Sequence, residues 1–457
     1  VEAVAAIEGA MVKAIAAAER SVVAIARVKR SGEDRLDSAP TLFQQLGRTM
    51  PRPGDPEFIP NEYATGVVVD AAGLILTAHH VLREDCDYWV TTPDRKTYKV
   101  TKVVGADPRS DLAVMAIEAT DLAPIRFGDA SKLRKGQIVI TLGNPYAIAR
   151  DGQASASWGI VSNIARKDGP TPGRDGQPGK PAMHQYGTLI QTDAKLNLGT
   201  SGGALLNLEG EMVGLTISLA ATLGYEQPAG FAIPVDETFH RALKSLRQGN
   251  EVEYGFLGIS LPQPYDTRWR GKKGVLVVDV LEGTPADRYG LRKDDVITQV
   301  NGIDVHDHDA LLLHVGKLAP EAGAMLTVER DGRVMPIAIR ELSKFFVPGR
   351  KIVTSEPPAW RGLAVDYVTA SEHFREWTLQ RRLDPQGSVW IKAVQPDSPA
   401  WREGLRPDML ITHVGSQRVT TPAEFRQAVA NQEGPIKLRL ALPAAQKPVR
   451  TIEPETS

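Results

Sequence analysis

Peptide cleavage by a serine hydroxyl needs a base in hydrogen-bond reach, a carboxylate that fixes the tautomer of that base and supports its charge, and backbone N–H groups aimed at the developing oxyanion. Three stretches of the 457-residue sequence offer these parts. "NLGTSGGAL" (197–205) places Ser201 on a glycine-rich loop, where Gly199 can turn its N–H toward a substrate carbonyl and Gly202 and Gly203 let a substrate backbone approach. "LILTAHHVL" (74–82) sets His79 and His80 side by side at the end of an apolar run, and "DPRSDLAVMAI" (107–117) has Asp111 entering an apolar strand. Singly, each is weak evidence: a serine beside glycines, or an aspartate before a strand, is most often a turn residue. Together, in one chain order, they are far more specific.

Such side chains need a rigid frame. From Tyr63 to Pro234 the sequence is built of short β-branched runs such as "TGVVVD", "QIVITLG" and "EMVGLTISL", punctuated by Gly, Pro, Asp and Asn, which predicts an all-β barrel or sandwich. Before it, Val4, Ile7, Met11 and Ile15 recur at helical spacing and predict an amphipathic helix over 3–20. Residues 29–62 and 167–185 are proline-rich and polar and read as long loops. After a helical pattern at 236–250, "TPADRYGLRKDDVITQVNGIDV" (284–305) and "SPAWREGLRPDMLITHVGSQRV" (398–419) agree at eleven of twenty-two positions, which marks two copies of one module. Proline-rich residues 347–358 separate them.

Composition narrows the function. A net charge of -1 lacks the basic excess expected of nucleic-acid binding, and no apolar stretch approaches the roughly 20 residues that span a bilayer. Cys86 is the only cysteine, so neither an internal disulfide nor a thiolate metal cluster can form. The chain starts at Val1 rather than Met, as a processed form would. "DVHDHDALLLH" (304–314) carries His306, His308 and His314 beside Asp304, Asp307 and Asp309, but the pattern reads better as a solvated turn and helix start than as a metal site. No metal or cofactor is expected.

The order His, Asp, Ser is that of chymotrypsin-like double barrels. "GLILTAHHVL", "DPRSDLAVMAI", "IQTDAKLNLGTSGGALLNLEGEMVGLTI" and "GFAIPV" resemble the four signature segments of HtrA/Deg serine proteases, and the likeness covers nearly the whole chain. The resemblance implies a mainly β protein, a chymotrypsin-like double β-barrel over 1–245 followed by two α+β PDZ domains over 252–343 and 359–445. It assigns His80 as the base, Asp111 as its orienting carboxylate and Ser201 as the nucleophile, with Gly199, Thr200 and Ser201 forming the oxyanion hole. His79 falls where relatives tolerate other residues and is expected to be dispensable. Leu196, Ile217 and Leu219 are expected to line a shallow apolar specificity pocket, and Lys195 beside them is expected to be solvated. The carboxylate-binding loops of the PDZ modules fall on Phe256, Leu257, Gly258 and Ile259, and on Gly362, Leu363, Ala364 and Val365, where Ala364 replaces the usual glycine. Thr200 likewise stands where the family usually has asparagine. The implied activity is ATP-independent cleavage of unfolded or damaged proteins by a trimer, or multiples of trimers, in an extracytoplasmic bacterial setting. Its PDZ modules would take peptide C-termini, and the 29–62 loop would be a regulatory insertion, mobile in an inactive state. The rival reading is a latent or inactive protease fold acting as a chaperone or peptide-binding scaffold.

Overall fold

The computed structural model describes residues 2–30, 62–144, 152–166, 188–217, 230–261, 273–380, 382–430, 432–441 and 448–455. Most of the 29–62 loop, the 167–185 loop and Leu219 lie outside them. The chain forms two compact units, Val1–Val252 with Pro348–Glu356, and Glu253–Val347 with Pro357–Ser457.

In the first unit the β-branched runs close into two antiparallel barrels, as the family resemblance implies. Helix α1 (Glu2–Ala18) precedes β1 (Val22–Lys29), β2 (Glu62–Asp70), β3 (Leu74–Ala78), β4 (Cys86–Thr91), β5 (Thr97–Asp107) and β6 (Leu112–Ile117). These strands run in the order β5-β4-β1-β2-β3-β6, and β6 returns to β5. Ile25, Val67, Ile75 and Val114 are wholly buried there. The second barrel comprises β7 (Ile138–Gly143), β8 (Ser155–Arg166), β9 (Leu189–Thr192), β10 (Ala204–Leu206), β11 (Met212–Ile217) and β12 (Gly230–Pro234), ordered β10-β11-β12-β9-β8-β7. Leu133, Val139, Val161, Ile190, Leu205, Val213 and Ala232 form its core. Of the predicted helical stripe, Met11 and Ile15 are half-buried while Val4 and Ile7 stay exposed. Helix α2 (Glu237–Arg247) starts where the Asp236 carboxylate accepts the Phe239 N–H at 3.0 Å, and it buries Phe239, Ala242, Leu243 and Leu246. It packs closely on β5 because Gly105 has no Cβ; one there would stand 2.9 Å from the Leu246 carbonyl oxygen.

The second unit holds both repeats. The first contains β13 (Gly255–Phe256), β14 (Ile259–Ser260), β15 (Val275–Leu276), β16 (Asp279–Val280), β17 (Val296–Val300), β18 (Ile303–Asp304), helix α3 (His308–Gly316), β19 (Ala324–Arg330), β20 (Arg333–Ile339) and β21 (Ser343–Lys344). The chain then returns to the first unit for β22 (Ile352–Val353), which pairs with β5. The second repeat contains β23 (Leu363–Tyr367), β24 (Val389–Val394), β25 (Leu410–Val414), β26 (Gln417–Arg418), helix α4 (Pro422–Val429), β27 (Ile436–Leu440) and β28 (Val449–Ile452). Each repeat has its own core, around Leu257, Ile297, Leu326 and Val328 in one and Ile391, Leu405, Phe425 and Leu438 in the other.

Polar groups tie the repeats together. The Lys344 ammonium, 3% exposed, meets Asp366 at 2.8 Å and Glu253 at 3.1 Å. The Ser343 and Thr369 hydroxyls lie 2.6 Å apart, and the rings of Phe256 and Phe374 meet edge to face with centroids 5.9 Å apart. Removing one partner of a buried ion pair leaves an uncompensated charge, at about 3 kcal/mol or more. Lys344→Met, which keeps the aliphatic stem, is therefore expected to lower the stability of the second unit by roughly 3 kcal/mol. Denaturant unfolding of the full chain reads this, and an unchanged midpoint would show that the ion pair holds nothing together.

Candidate active site

β3 ends at Ala78 and the chain makes a single 3₁₀ turn over His79–Val81. That turn presents both His80 donors to one carboxylate: the backbone N–H donates to Asp111 Oδ1 and the ring Nδ1–H to Oδ2, each at 2.8 Å. A carboxylate only accepts, so the proton sits on Nδ1 and the lone pair on Nε2 is left for a reacting group. The Asp111 side chain is 4% exposed and that of His80 31%, so the carboxylate is shielded while the base stays reachable. Asp111 has φ +54°, a left-handed conformation that aspartate tolerates better than most residues. It is held from both sides: its carbonyl accepts the His79 N–H at 2.9 Å, and Asp107 braces the preceding turn by accepting the Ser110 N–H and hydroxyl at 2.8 and 2.7 Å.

The loop that carries Ser201 is fixed by buried threonines. The Thr200 N–H donates to the Asn197 carbonyl at 3.1 Å, and Gly199 has φ +95°, the combination that defines a type II turn. In a type I turn the central peptide would be reversed; here the Gly199 N–H turns away from the loop and has no protein acceptor among the described residues. The Thr65 hydroxyl donates to the Gly199 carbonyl at 2.7 Å and accepts the Asn144 N–H at 2.8 Å, while the Thr65 N–H donates to the Ser201 carbonyl at 2.9 Å. Thr216 donates its hydroxyl to the Thr200 carbonyl at 2.7 Å, and Thr77 donates to the Thr65 carbonyl at 2.8 Å. Gly202, at φ +87°, fits against this set so closely that a Cβ would lie 2.1 Å from the Thr65 carbonyl oxygen and 2.3 Å from the Thr77 hydroxyl. Thr77 is three residues before His80, so the Ser201 loop is seated directly on the strand that carries the histidine. Sequence reading passed over Thr65, because a threonine in "ATGVVV" looks like any other β-branched strand residue.

The other expected residues fall as follows. Leu196 and Ile217 are buried, and Leu196 reaches Gly230, where a Cβ would stand 3.0 Å from its methyl carbon. Lys195 is exposed, as expected of a solvated side chain. Asp307 caps α3 by accepting the Ala310 N–H at 2.8 Å, and no cluster suited to a metal occurs among the described residues. In the first repeat the carbonyls of Leu257 and Gly258 are occupied by the N–H groups of Ala286 and Leu281 at 2.8 and 2.9 Å. The Leu257 and Gly258 N–H groups have no protein acceptor among the described residues. The Phe256 ring packs toward Phe374 of the second repeat, and its backbone pairs with Ser343 of β21. In the second repeat the Leu363 N–H is taken by the Trp360 carbonyl at 2.8 Å, and Ala364 pairs with Ala393 in β24.

Residues 64–215 match the trypsin-like peptidase domain family, and residues 255–340 and 390–441 each match a PDZ domain family. The chain is 32% identical over 378 residues to a probable periplasmic serine endoprotease DegP-like of Chlamydia trachomatis serovar D, covering 81% of this chain and 70% of that one. It is 31% identical over 402 residues to the protein so named in Pseudomonas fluorescens, covering 85% and 79%. Among solved structures, the HtrA-type protease AlgW with decapeptide shares the fold with a TM-score of 0.52 at 24% identity, over 74% of this chain and 99% of that one.

The Thr65 hydroxyl carries a prediction. Thr65→Val keeps the shape but strips a partner from the Gly199 carbonyl and the Asn144 N–H, a loss of about 1–3 kcal/mol. Steady-state hydrolysis of a short chromogenic peptide should show kcat down by about 10- to 100-fold with KM little changed. An unaltered kcat would mean that the loop holds its turn without Thr65.

Proposed function

The chain belongs to the HtrA/Deg family of serine endoproteases, and from that premise we propose that Ser201, His80 and Asp111 form its catalytic triad and that it degrades unfolded or damaged polypeptides without ATP. The observation that carries the triad is the two-point grip of Asp111 on His80, which leaves Nε2 as the only ring position able to take a proton. Ser201 Oγ attacks the scissile carbonyl as His80 Nε2 removes its proton. The oxyanion is received by the N–H groups of Gly199 and Ser201, the first of them already turned outward by the type II turn. His80 then gives its proton to the leaving amine, and a water repeats the sequence to release the acyl group. Leu196 beside Gly230, with Ile217, favours small aliphatic side chains before the scissile bond.

The first PDZ module takes peptide C-termini on the N–H groups of Leu257 and Gly258, while closure of the Leu363 N–H on Trp360 makes the second a poorer carboxylate site. The exposed Val4, Ile7 and Val12 of α1 suit burial between subunits, which fits a trimer or multiples of trimers. The relatives are named periplasmic, and we place this chain in the same compartment. No helix of the described residues is long and apolar enough to cross a membrane.

The test is labelling by a fluorophosphonate probe together with cleavage of unfolded casein. Ser201→Ala is expected to abolish both, and Asp111→Asn to lower kcat by about 10⁴-fold with Ser201 still present. A wild-type chain that is neither labelled nor active with any activating peptide would overturn the enzyme reading and leave the latent or inactive, chaperone-like one.

A further inference from the structure

Residues 347–358 have the composition of a spacer between the repeats, yet Pro348–Glu356 folds with the barrels. Ile352 pairs with Ala106 and Val353 with Gly105. Since β6 already pairs with these same two β5 residues, β22 must occupy the opposite edge of β5. The Thr354 hydroxyl donates to the Val104 carbonyl at 2.6 Å, and the N–H groups of Thr354 and Ser355 donate to the Gly249 carbonyl at 2.9 and 3.0 Å. Lys351 meets Glu251 at 2.7 Å. At its leading end a Cβ on Gly349 would stand 3.3 Å from the Pro108 ring, and the Arg350 carbonyl lies 2.9 Å from His79 Nε2. A carbonyl only accepts, so His79 Nε2–H is the donor.

The segment thus touches both pieces of chain that carry the base and its carboxylate. Pro108 lies in the Asp107–Asp111 turn, and His79 precedes His80 in the single 3₁₀ turn. Both pieces are short and irregular, one with a residue at φ +54°, and such conformations persist only where surrounding contacts over-determine them. We propose that residues 349–355 are a strap belonging to the catalytic unit, and that His79 is a positioning residue which, by donating to the Arg350 carbonyl, clamps the histidine turn against the aspartate turn and sets the His80–Asp111 geometry. This rests on the triad assigned above, and it gives His79 a use that the sequence reading denied it.

The experiment uses the full chain and a short chromogenic peptide with a blocked C-terminus, which asks nothing of the PDZ modules. Four variants are compared: His79→Ala, His79→Gln, replacement of 349–355 by a Gly/Ser segment of equal length, and that replacement combined with His79→Ala. The expected result is a kcat for His79→Ala reduced about 5- to 10-fold at nearly unchanged KM, restored to within about twofold by His79→Gln, whose amide can donate in the same place. The combined variant should be no slower than the strap replacement alone, because both remove one interaction. An unchanged kcat in His79→Ala, a glutamine no better than alanine, or additive losses in the combined variant would overturn the proposal. If the strap replacement fails to fold, the alanine and glutamine pair decides alone. Fluorophosphonate labelling of the wild type is the control: its failure would strike the triad, whereas labelled wild type with indifferent variants strikes only the strap.

Discussion

A carboxylate taken out of water costs several kcal/mol unless donors replace the solvent it loses, and Asp111 is nearly sealed. Its two oxygens take the backbone N–H and the ring N–H of the same histidine, so satisfying its charge and orienting the His80 ring are one requirement. The imidazole cannot rotate without exposing a buried ion. The register of the first barrel agrees with this requirement: Ala78 of β3 faces Leu112 of β6, which places the two turns side by side.

The nucleophile loop is organised on a different economy, with hydroxyls in place of ions. Thr65, Thr77, Thr200 and Thr216 are all buried, and each donates to a carbonyl of the loop or of the strand under it. With these carbonyls tied down on one side, the Gly199 N–H faces the other and has no protein acceptor among the described residues, the arrangement that an oxyanion site would require. The same logic recurs in the first PDZ module, where the Leu257 and Gly258 carbonyls are occupied and their N–H groups have no protein acceptor among the described residues. Glycine is needed at 202 and 258 because the threonine frame leaves no room for a Cβ: Thr65 and Thr77 crowd one and Thr284 the other.

How far the sequence discloses this depends on the range of each interaction. The barrels were legible from short β-branched runs between turn residues and the repeats from self-similarity, while His80, Asp111 and Ser201 were singled out from local signatures in one order. Lys195 was legible too, since a charged side chain beside a buried leucine points outward by default. Thr65 was not, because its partners Asn144 and Gly199 are 79 and 134 residues away and nothing local distinguishes it. Phe256 was placed in a peptide-binding loop by its neighbours in sequence, but its ring goes to Phe374, and only tertiary packing decides that. The α1 stripe was read as one apolar face, yet Val4 and Ile7 stay exposed among the described residues.

The docked segment between the repeats shows why composition alone misjudges a linker. Docking a strand of two residues across a spacing of about a hundred would carry a large closure entropy if the intervening chain were unstructured. It is not: β13 pairs with β21, Gly255 with Lys344 and Phe256 with Ser343, so the folded first repeat brings its own two ends together. The effective loop to be closed then runs only from Gly249 to the start of β13 and from Lys344 to Thr354, and the Gly249 carbonyl accepts the N–H groups of both Thr354 and Ser355. Two ladder pairs and a few hydrogen bonds suffice against so small a cost. A sequence can therefore carry proline and little hydrophobic character and still hold a fixed place, provided that the domain before it has already done the work of closure.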